Sequence, residues 1–192
     1  MCNRASAISD RCSRGCVAVR RLGAEVLPSR CGEGAEAAEL RPDAVALALA
    51  GRRHGVVTTA QLAQSGLSKD AIAGRVKRGW LRRRHRGVYV VGPLESPLTR
   101  AMAAVTAYGD GALLSHYAAG VLWGYCRPPA GVMHVTVVGR PVHGRAGIRV
   151  HRANLHLADA TRKDGIPVTS PARTLLDLAA TLPQRDLDRA TE

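Results

Sequence analysis

Short breaks divide residues 41–92 into pieces that are too small for any long element. The breaks are Gly55, Ser65-Gly66, Gly79 and Gly87. Glycine ends helices and supplies turn conformations that other residues avoid. The segment is therefore expected to fold as several short helices and strands around one small core.

The residues between these breaks predict a winged helix-turn-helix. Polar residues at the starts of the helical runs act as N-caps. The predicted helices are residues 43–53 capped by Asp43, residues 59–64 capped by Thr58, and residues 69–78 capped by Ser68. The predicted strands are Val56-Val57, a strand starting at Trp80-Leu81 and a strand over residues 88–91, with a basic turn over residues 82–86.

Positive charge is concentrated in the same segment. Residues 41–92 hold eleven Lys or Arg and two acids, a net of +9 out of +13 for the chain. A basic segment that is also apolar enough to fold is typical of a polyanion binder. In a helix-turn-helix the second helix of the motif enters the major groove. Residues 69–78 are therefore predicted to read duplex DNA, with Ile72 and Val76 facing the core.

The predicted DNA contacts are cations and small residues in four places. These are the outward face of that helix, its N-cap, the end of the first helix, and the basic turn over residues 82–86, which we call the wing. The contact residues are Arg52, Arg53, Ser68, Lys69, Ala73, Gly74, Lys77, Arg78, Arg82, Arg83, Arg84 and Arg86. RNA or an acidic protein stays open as a partner, although the segment lacks the aromatic platform that single-strand binding favours.

The sequence pattern of residues 93–192 predicts a small mixed α/β domain. The predicted fold class of the whole chain is therefore α+β. Its predicted helices cover residues 97–108, 116–125, 170–182 and 184–192, and its predicted strands cover residues 133–138, 147–152 and 165–168. A hairpin around His143 is expected to join the first two strands. The arginines there could meet an acidic surface or nucleotide phosphates, or could extend the DNA-binding face. They are Arg140, Arg145, Arg149 and Arg152.

Residues 1–40 show neither helical nor strand periodicity and are expected to be poorly ordered. Four of the five cysteines lie here, at spacings unlike paired zinc ligands. A redox or metal-binding tail and an organelle transit peptide are the alternatives for this range. Neither a signal peptide nor a run of 18 apolar residues is visible, so we expect a cytoplasmic protein that does not enter a membrane.

Short motifs recur in order from residue 43 to residue 190. In the basic segment they are His54-Gly55-Val56-Val57-Thr58-Thr59-Ala60-Gln61-Leu62, Gly66-Leu67-Ser68, Gly79-Trp80-Leu81 and His85-Arg86-Gly87-Val88-Tyr89. Beyond it they are Leu114-Ser115-His116, Leu122-Trp123-Gly124, His134-Val135-Thr136-Val137, Val150-His151-Arg152 and residues 165–177. In this order the motifs resemble AbiEi-type antitoxins of type IV toxin–antitoxin systems.

The resemblance implies a winged helix that represses its own promoter and a second part that opposes a nucleotidyltransferase toxin. Many such antitoxins continue into a nuclease-like domain, so the resemblance also implies that this chain is truncated at its C-terminus. The alternatives are a solitary transcription regulator and the remnant of a DNA-processing fusion protein that lacks its catalytic domain.

The histidines and acids predict no enzyme, metal or cofactor. The seven histidines show no H-x₃-H or H-E-x-x-H spacing, and no phosphate-binding loop of the Walker type is present. His134 and His151 lie on predicted neighbouring strands and could approach each other. His116 is expected to pack or to cap a helix before Trp123.

Overall fold

The computed structural model describes residues 17–22, 25–30, 41–128 and 131–191. The chain divides into two compact units, residues 1–39 and residues 40–192. In the first unit, strands β1 (Val17–Leu22) and β2 (Glu25–Arg30) pair in antiparallel register. The sequence predicts no strand here, although its valines favour strand conformation. The four cysteines of residues 1–40 lie outside the described residues.

The second unit contains the remaining described elements. Its helices are α1 (Pro42–Gly51), α2 (Thr59–Gln64), α3 (Lys69–Lys77), α4 (Pro97–Tyr108), α5 (His116–Trp123), α6 (Pro171–Ala179) and α7 (Gln184–Thr191). Its strands are β3 (Val56–Thr58), β4 (Leu81–His85), β5 (Val88–Val91), β6 (Ala112–Leu114), β7 (Met133–Val137), β8 (Ile148–Arg152), β9 (Ala160–Lys163) and β10 (Ile166–Thr169). A single 3₁₀ turn, Leu157–Asp159, precedes β9 among the described residues.

Helices α1 to α3 and a three-stranded antiparallel sheet of order β3-β5-β4 form the first part of this unit. Their apolar side chains make one small core. It contains Ala46, Ala50, Val57, Leu62, Leu67, Ile72 and Leu81. The order of elements is that of a winged helix-turn-helix, which confirms the predicted fold class together with the α/β part that follows.

Side-chain caps start the two helices of the predicted motif. Thr58 Oγ1 accepts from the Gln61 backbone nitrogen, and the Gln61 side chain accepts from the Thr58 nitrogen. Ser68 Oγ accepts from the nitrogen of Ala71 at 3.2 Å. Both predicted caps are confirmed. The predicted Asp43 cap is wrong, because α1 begins at Pro42 and Asp43 lies inside its first turn.

The remaining described strands form a five-stranded mixed sheet of order β8-β7-β6-β10-β9. Strands β7 and β8 are parallel, with Val135 opposite Val150. The predicted hairpin around His143 is therefore wrong, because parallel neighbours need a crossover connection rather than a tight turn. The sequence also misses β6 and β9. Strand β6 is short, and β9 is mainly polar and exposed.

Helix α4 packs against strands of both sheets and joins the two parts of the unit. Its buried face includes Met102 and Val105, which lie in the larger hydrophobic cluster. That cluster also holds Val56, Val88 and Val90 from the three-stranded sheet. The domain boundary after residue 92 stays a prediction, and the residues on its two sides share this cluster.

Helix α6 turns polar as well as apolar side chains inward. Leu178 is fully buried, but Leu176 is 68 % exposed and Ala179 is also exposed. The inward positions instead include Thr174 and Asp177, which make hydrogen bonds. The described helices include none that is long and apolar enough to cross a membrane.

Candidate nucleic-acid interface

Two apolar side chains and one arginine hold helix α3, the predicted reading helix, in place. Ile72 is buried, and Val76 packs against the small core. Arg75 pairs with Asp43 at 2.6 Å, donates to the carbonyl of Ala71 and lies over the Trp80 ring. The arginine thus ties α3 to α1 and to the start of the wing, and it presents no free cation to a ligand.

The opposite face of α3 is open to solvent. Lys69, Ala73 and Lys77 are exposed, as the sequence predicts for a surface that approaches DNA. Gly74 differs from the prediction. A Cβ built on it would lie 3.4 Å from Nη1 of Arg78, so the Arg78 side chain folds back over this glycine. Lys77 is an exposed cation in the last turn of the helix.

The wing turn is tighter than the sequence predicts. Residues 82–85, predicted as turn, continue strand β4, and the connection to β5 is made by Arg86 and Gly87. Gly87 has φ +78, a left-handed conformation that glycine adopts without strain. Its carbonyl accepts from the Thr59 nitrogen at 3.0 Å, which fixes the wing against the start of α2.

Because Arg82 to Arg84 lie on a strand, successive side chains point to opposite faces. Arg82 and Arg84 both reach Glu95, at 3.2 Å and 3.8 Å. One carboxylate thus neutralises part of the charge on that face. Arg83 and Arg86 are exposed and form no salt bridge with the residues that the structure describes. They are the wing cations most available to phosphate.

The two arginines at the end of α1 occupy different environments. Arg52 is exposed at the helix C-cap. Arg53 turns inward, and its Nη2 donates to Thr106 Oγ1 of α4 at 3.1 Å. Burial, and then the charge of Arg162, lowers the pKa of Arg53. The Arg53 guanidinium thus joins α1 to α4, and a DNA contact by Arg53 stays a prediction.

The wing also approaches the arginines of the second part. Burial, the Arg84 charge and the Arg145 charge all lower the pKa of His85. Arg145 in turn lies over the Tyr108 ring, 5.3 Å from its centroid. Arg140 donates to the carbonyls of Tyr108 and Asp110. This arrangement favours the interpretation that Arg145 extends the basic surface of the wing.

A second candidate site is a cluster of three histidines. Two of them lie on β7 and β8 of the five-stranded sheet, and the third begins α5. His134 Nδ1 and His151 Nε2 are 3.1 Å apart, as the sequence analysis allows. His116 stacks on His151 with ring centroids 3.6 Å apart. Burial, and then the charge of His151, lowers the pKa of His134 to about 4. The pKa values of His116 and His151 are also lowered, mainly by burial.

The sequence does not predict that His116 belongs to this cluster. The ring is placed by Ser115, whose Oγ is 3.1 Å from His116 Nδ1, and by Asp177, whose Oδ2 is 3.7 Å away. Asp177 comes from α6 and also accepts from Arg173 Nε at 2.9 Å. The contact between His116 and Asp177 joins residues more than sixty positions apart, and a short local motif carries no signal for it.

The basic segment has a counterpart among known protein families. Residues 45–92 match the model of a family described as transcriptional regulator, AbiEi antitoxin. Among solved structures, the crystal structure of the RV2827C protein from Mycobacterium tuberculosis is similar, with a TM-score of 0.48 and 20 % identity. The similarity covers 76 % of this chain and 69 % of that one. No curated protein matches the chain.

The family match covers α1 to β5 almost completely, including α3 and the wing. It points to DNA-binding regulation, and it confirms the resemblance that the motifs of the basic segment indicate. Residues 45–92 are thus similar in sequence to AbiEi-antitoxin transcriptional regulators, and in structure they form a winged helix-turn-helix.

Proposed function

We propose that the protein is a sequence-specific duplex DNA-binding autorepressor and the antitoxin component of a type IV toxin–antitoxin system. One observation carries the DNA-binding part. The exposed cations Lys77, Arg83 and Arg86 lie on the predicted reading helix and the wing, where no described acid pairs with them. The family match supports regulation. A repressor of its own promoter would act in the cytoplasm.

The two elements would play different parts in binding. Exposed arginines on the wing are suited to phosphate oxygens, which position a protein on DNA without selecting a sequence. Side chains of a helix in the major groove contact base edges and provide the selection. Ser68, Lys69, Ala73 and Arg52 would lie at the edges of this interface.

The wing assignment predicts a loss of affinity that does not depend on DNA sequence. Replacing Arg83 and Arg86 with alanine should weaken binding to every duplex roughly tenfold at ~150 mM salt. The slope of log K against log salt should become shallower by about 1.8, because each lost phosphate contact removes about 0.9. Gel shifts or fluorescence anisotropy over a salt series measure both quantities.

A matched variant controls for charge alone. Arg127 and Arg185 are exposed and lie after α5 and in α7, so R127A/R185A removes the same charge from other elements. This variant should keep the salt slope of the unaltered chain. If both double variants lose affinity and slope equally, binding reflects general charge and the wing assignment is wrong.

The antitoxin part of the proposal is tested by co-expression with the adjacent gene. If that gene encodes a growth-inhibiting nucleotidyltransferase, the full chain should restore growth when the toxin is expressed from an unrelated promoter. The K77A/R83A/R86A variant should restore growth equally well, because neutralising a toxin needs no DNA contact. This variant separates neutralisation of the toxin from repression of its gene.

Two results would contradict the antitoxin role while leaving DNA binding intact. The first is growth restored only by the DNA-binding chain and only from the native promoter, which shows that the effect is repression. The second is that the adjacent genes encode no such toxin. In either case the protein is a solitary transcription regulator.

A further inference from the structure

The three-histidine cluster has the spacing of a metal site. His116, His134 and His151 each offer one nitrogen, and these nitrogens all lie within 4.8 Å of one another. Two of them, His134 Nδ1 and His151 Nε2, are 3.1 Å apart. Around a tetrahedral zinc ion with metal–nitrogen bonds of about 2.1 Å, ligand nitrogens are about 3.4 Å apart.

We propose that His116, His134 and His151 bind one divalent transition-metal ion of the zinc class. Imidazole nitrogen suits zinc, copper, nickel and iron, whereas magnesium and calcium prefer oxygen ligands. A histidine binds a metal through a neutral imidazole nitrogen. Three protein ligands leave a fourth position for water or for another ligand.

The surroundings of His116 indicate which nitrogen it would use. Its Nδ1 faces Ser115 Oγ and Asp177 Oδ2, so Nε2 remains for the metal. Histidine ligands usually donate their second nitrogen to a carboxylate or another acceptor, which fixes the ring. Asp177 Oδ2 is buried and makes no hydrogen bond to the residues that the structure describes. It is therefore free to accept from a ligating His116.

Metal binding requires the His116 ring to move. The rings of His116 and His151 lie nearly parallel, with an angle of 16° between their planes. The lone pairs of stacked rings do not converge, so the His116 ring has to turn out of the stack and approach the other two nitrogens. The His116 backbone has φ +50, a conformation that is uncommon outside glycine and often found at functional sites.

The test is calorimetric titration of the full chain with zinc. The cysteines of residues 1–40 would compete for zinc, so C2S/C12S/C16S/C31S is the background for all variants. One zinc ion should bind per chain, and H134Q/H151Q should lower the affinity by at least about tenfold. The matched control is His143→Gln, which changes an exposed histidine outside the cluster and should leave the affinity unchanged.

A cobalt spectrum provides a second readout that needs no histidine variant. Cobalt(II) bound to the unaltered cluster should give the visible bands of a tetrahedral nitrogen site without the ultraviolet charge-transfer band of thiolate ligation. The proposal is overturned if the cysteine-substituted background binds no zinc, if H134Q/H151Q binds it undiminished, or if cobalt shows octahedral or thiolate bands only.

Discussion

Leu114→Ala should lower the free energy of unfolding by about 2–5 kcal/mol, the usual cost of removing a fully buried leucine. Leu114 lies on β6, the middle strand of the five-stranded sheet, and its side chain is completely buried. The alanine leaves a cavity in the larger hydrophobic cluster, beside Val135 and Val168 on the neighbouring strands. Urea unfolding followed by circular dichroism measures the change, and Leu176→Ala at an exposed leucine is the control.

The same variant tests whether the two parts of the unit unfold together. The chain has two tryptophans, Trp80 beside the wing and Trp123 at the end of α5, so single-tryptophan chains report each part separately. Because the larger cluster includes side chains from both sheets, Leu114→Ala should shift both fluorescence transitions to the same lower urea concentration. A shift at Trp123 with no shift at Trp80 would contradict a shared core.

Lys77→Ala should weaken binding to the cognate DNA site by about 1–3 kcal/mol, the range for a good contact to a base edge. Lys77 is an exposed cation in the last turn of α3, and its loss should matter far less on random duplexes of the same length. The cognate site is obtained by selecting bound duplexes from a random pool and comparing them with the promoter of the protein's own operon. Anisotropy on both DNAs then gives the specificity ratio.

Lys77→Arg is the informative companion to this variant. It keeps the charge but replaces a compact ammonium with a planar fork, so it should preserve phosphate contacts and disturb a base contact. If Lys77 contacts a base, the Lys77→Arg variant should prefer a different DNA sequence. Equal losses on cognate and random DNA in the alanine chain would show that Lys77 contacts only the backbone.

Helix starts are predictable from this sequence because the interactions that fix them are local. Thr58 and Ser68 form caps with backbone groups three residues away. Asp43 fails as a cap because Pro42 already supplies the fixed φ of a first helical residue. Its carboxylate is used instead by Arg75, thirty-two residues later. That pairing depends on how α1 and α3 pack, which no local pattern specifies.

Strand placement is less predictable, since it depends on neighbouring strands. Arg82 to Arg84 resemble a basic turn, but they extend β4 because β5 offers a pairing partner and Glu95 offsets part of their charge. The patterns of β7 and β8 fit a hairpin and a crossover equally well. Their parallel pairing is decided by the order of the whole sheet.

The residues of the candidate sites also divide into those that a local pattern predicts and those that depend on the packing of distant elements. The outward face of α3 follows from helical spacing, so Lys77 is predicted correctly as an exposed residue. The hydrogen bond of Arg53 to Thr106 is not predictable in this way, since Thr106 comes from α4. The approach of His134 to His151 follows from adjacent strands, but the addition of His116 and Asp177 requires α5 and α6 to meet over the sheet.

The three-stranded sheet contributes valines to the larger hydrophobic cluster. Their burial limits how the gene segment that encodes residues 41–92 could recombine with other genes. Val56, Val88 and Val90 are each at most 3 % exposed, under the cover of α4 and its neighbours. A gene fragment ending at Gly92 would encode a winged helix-turn-helix with these side chains facing water, a surface prone to self-association. Exchange of this segment between proteins would therefore have to supply another apolar cover for the three valines, in the place that α4 takes here.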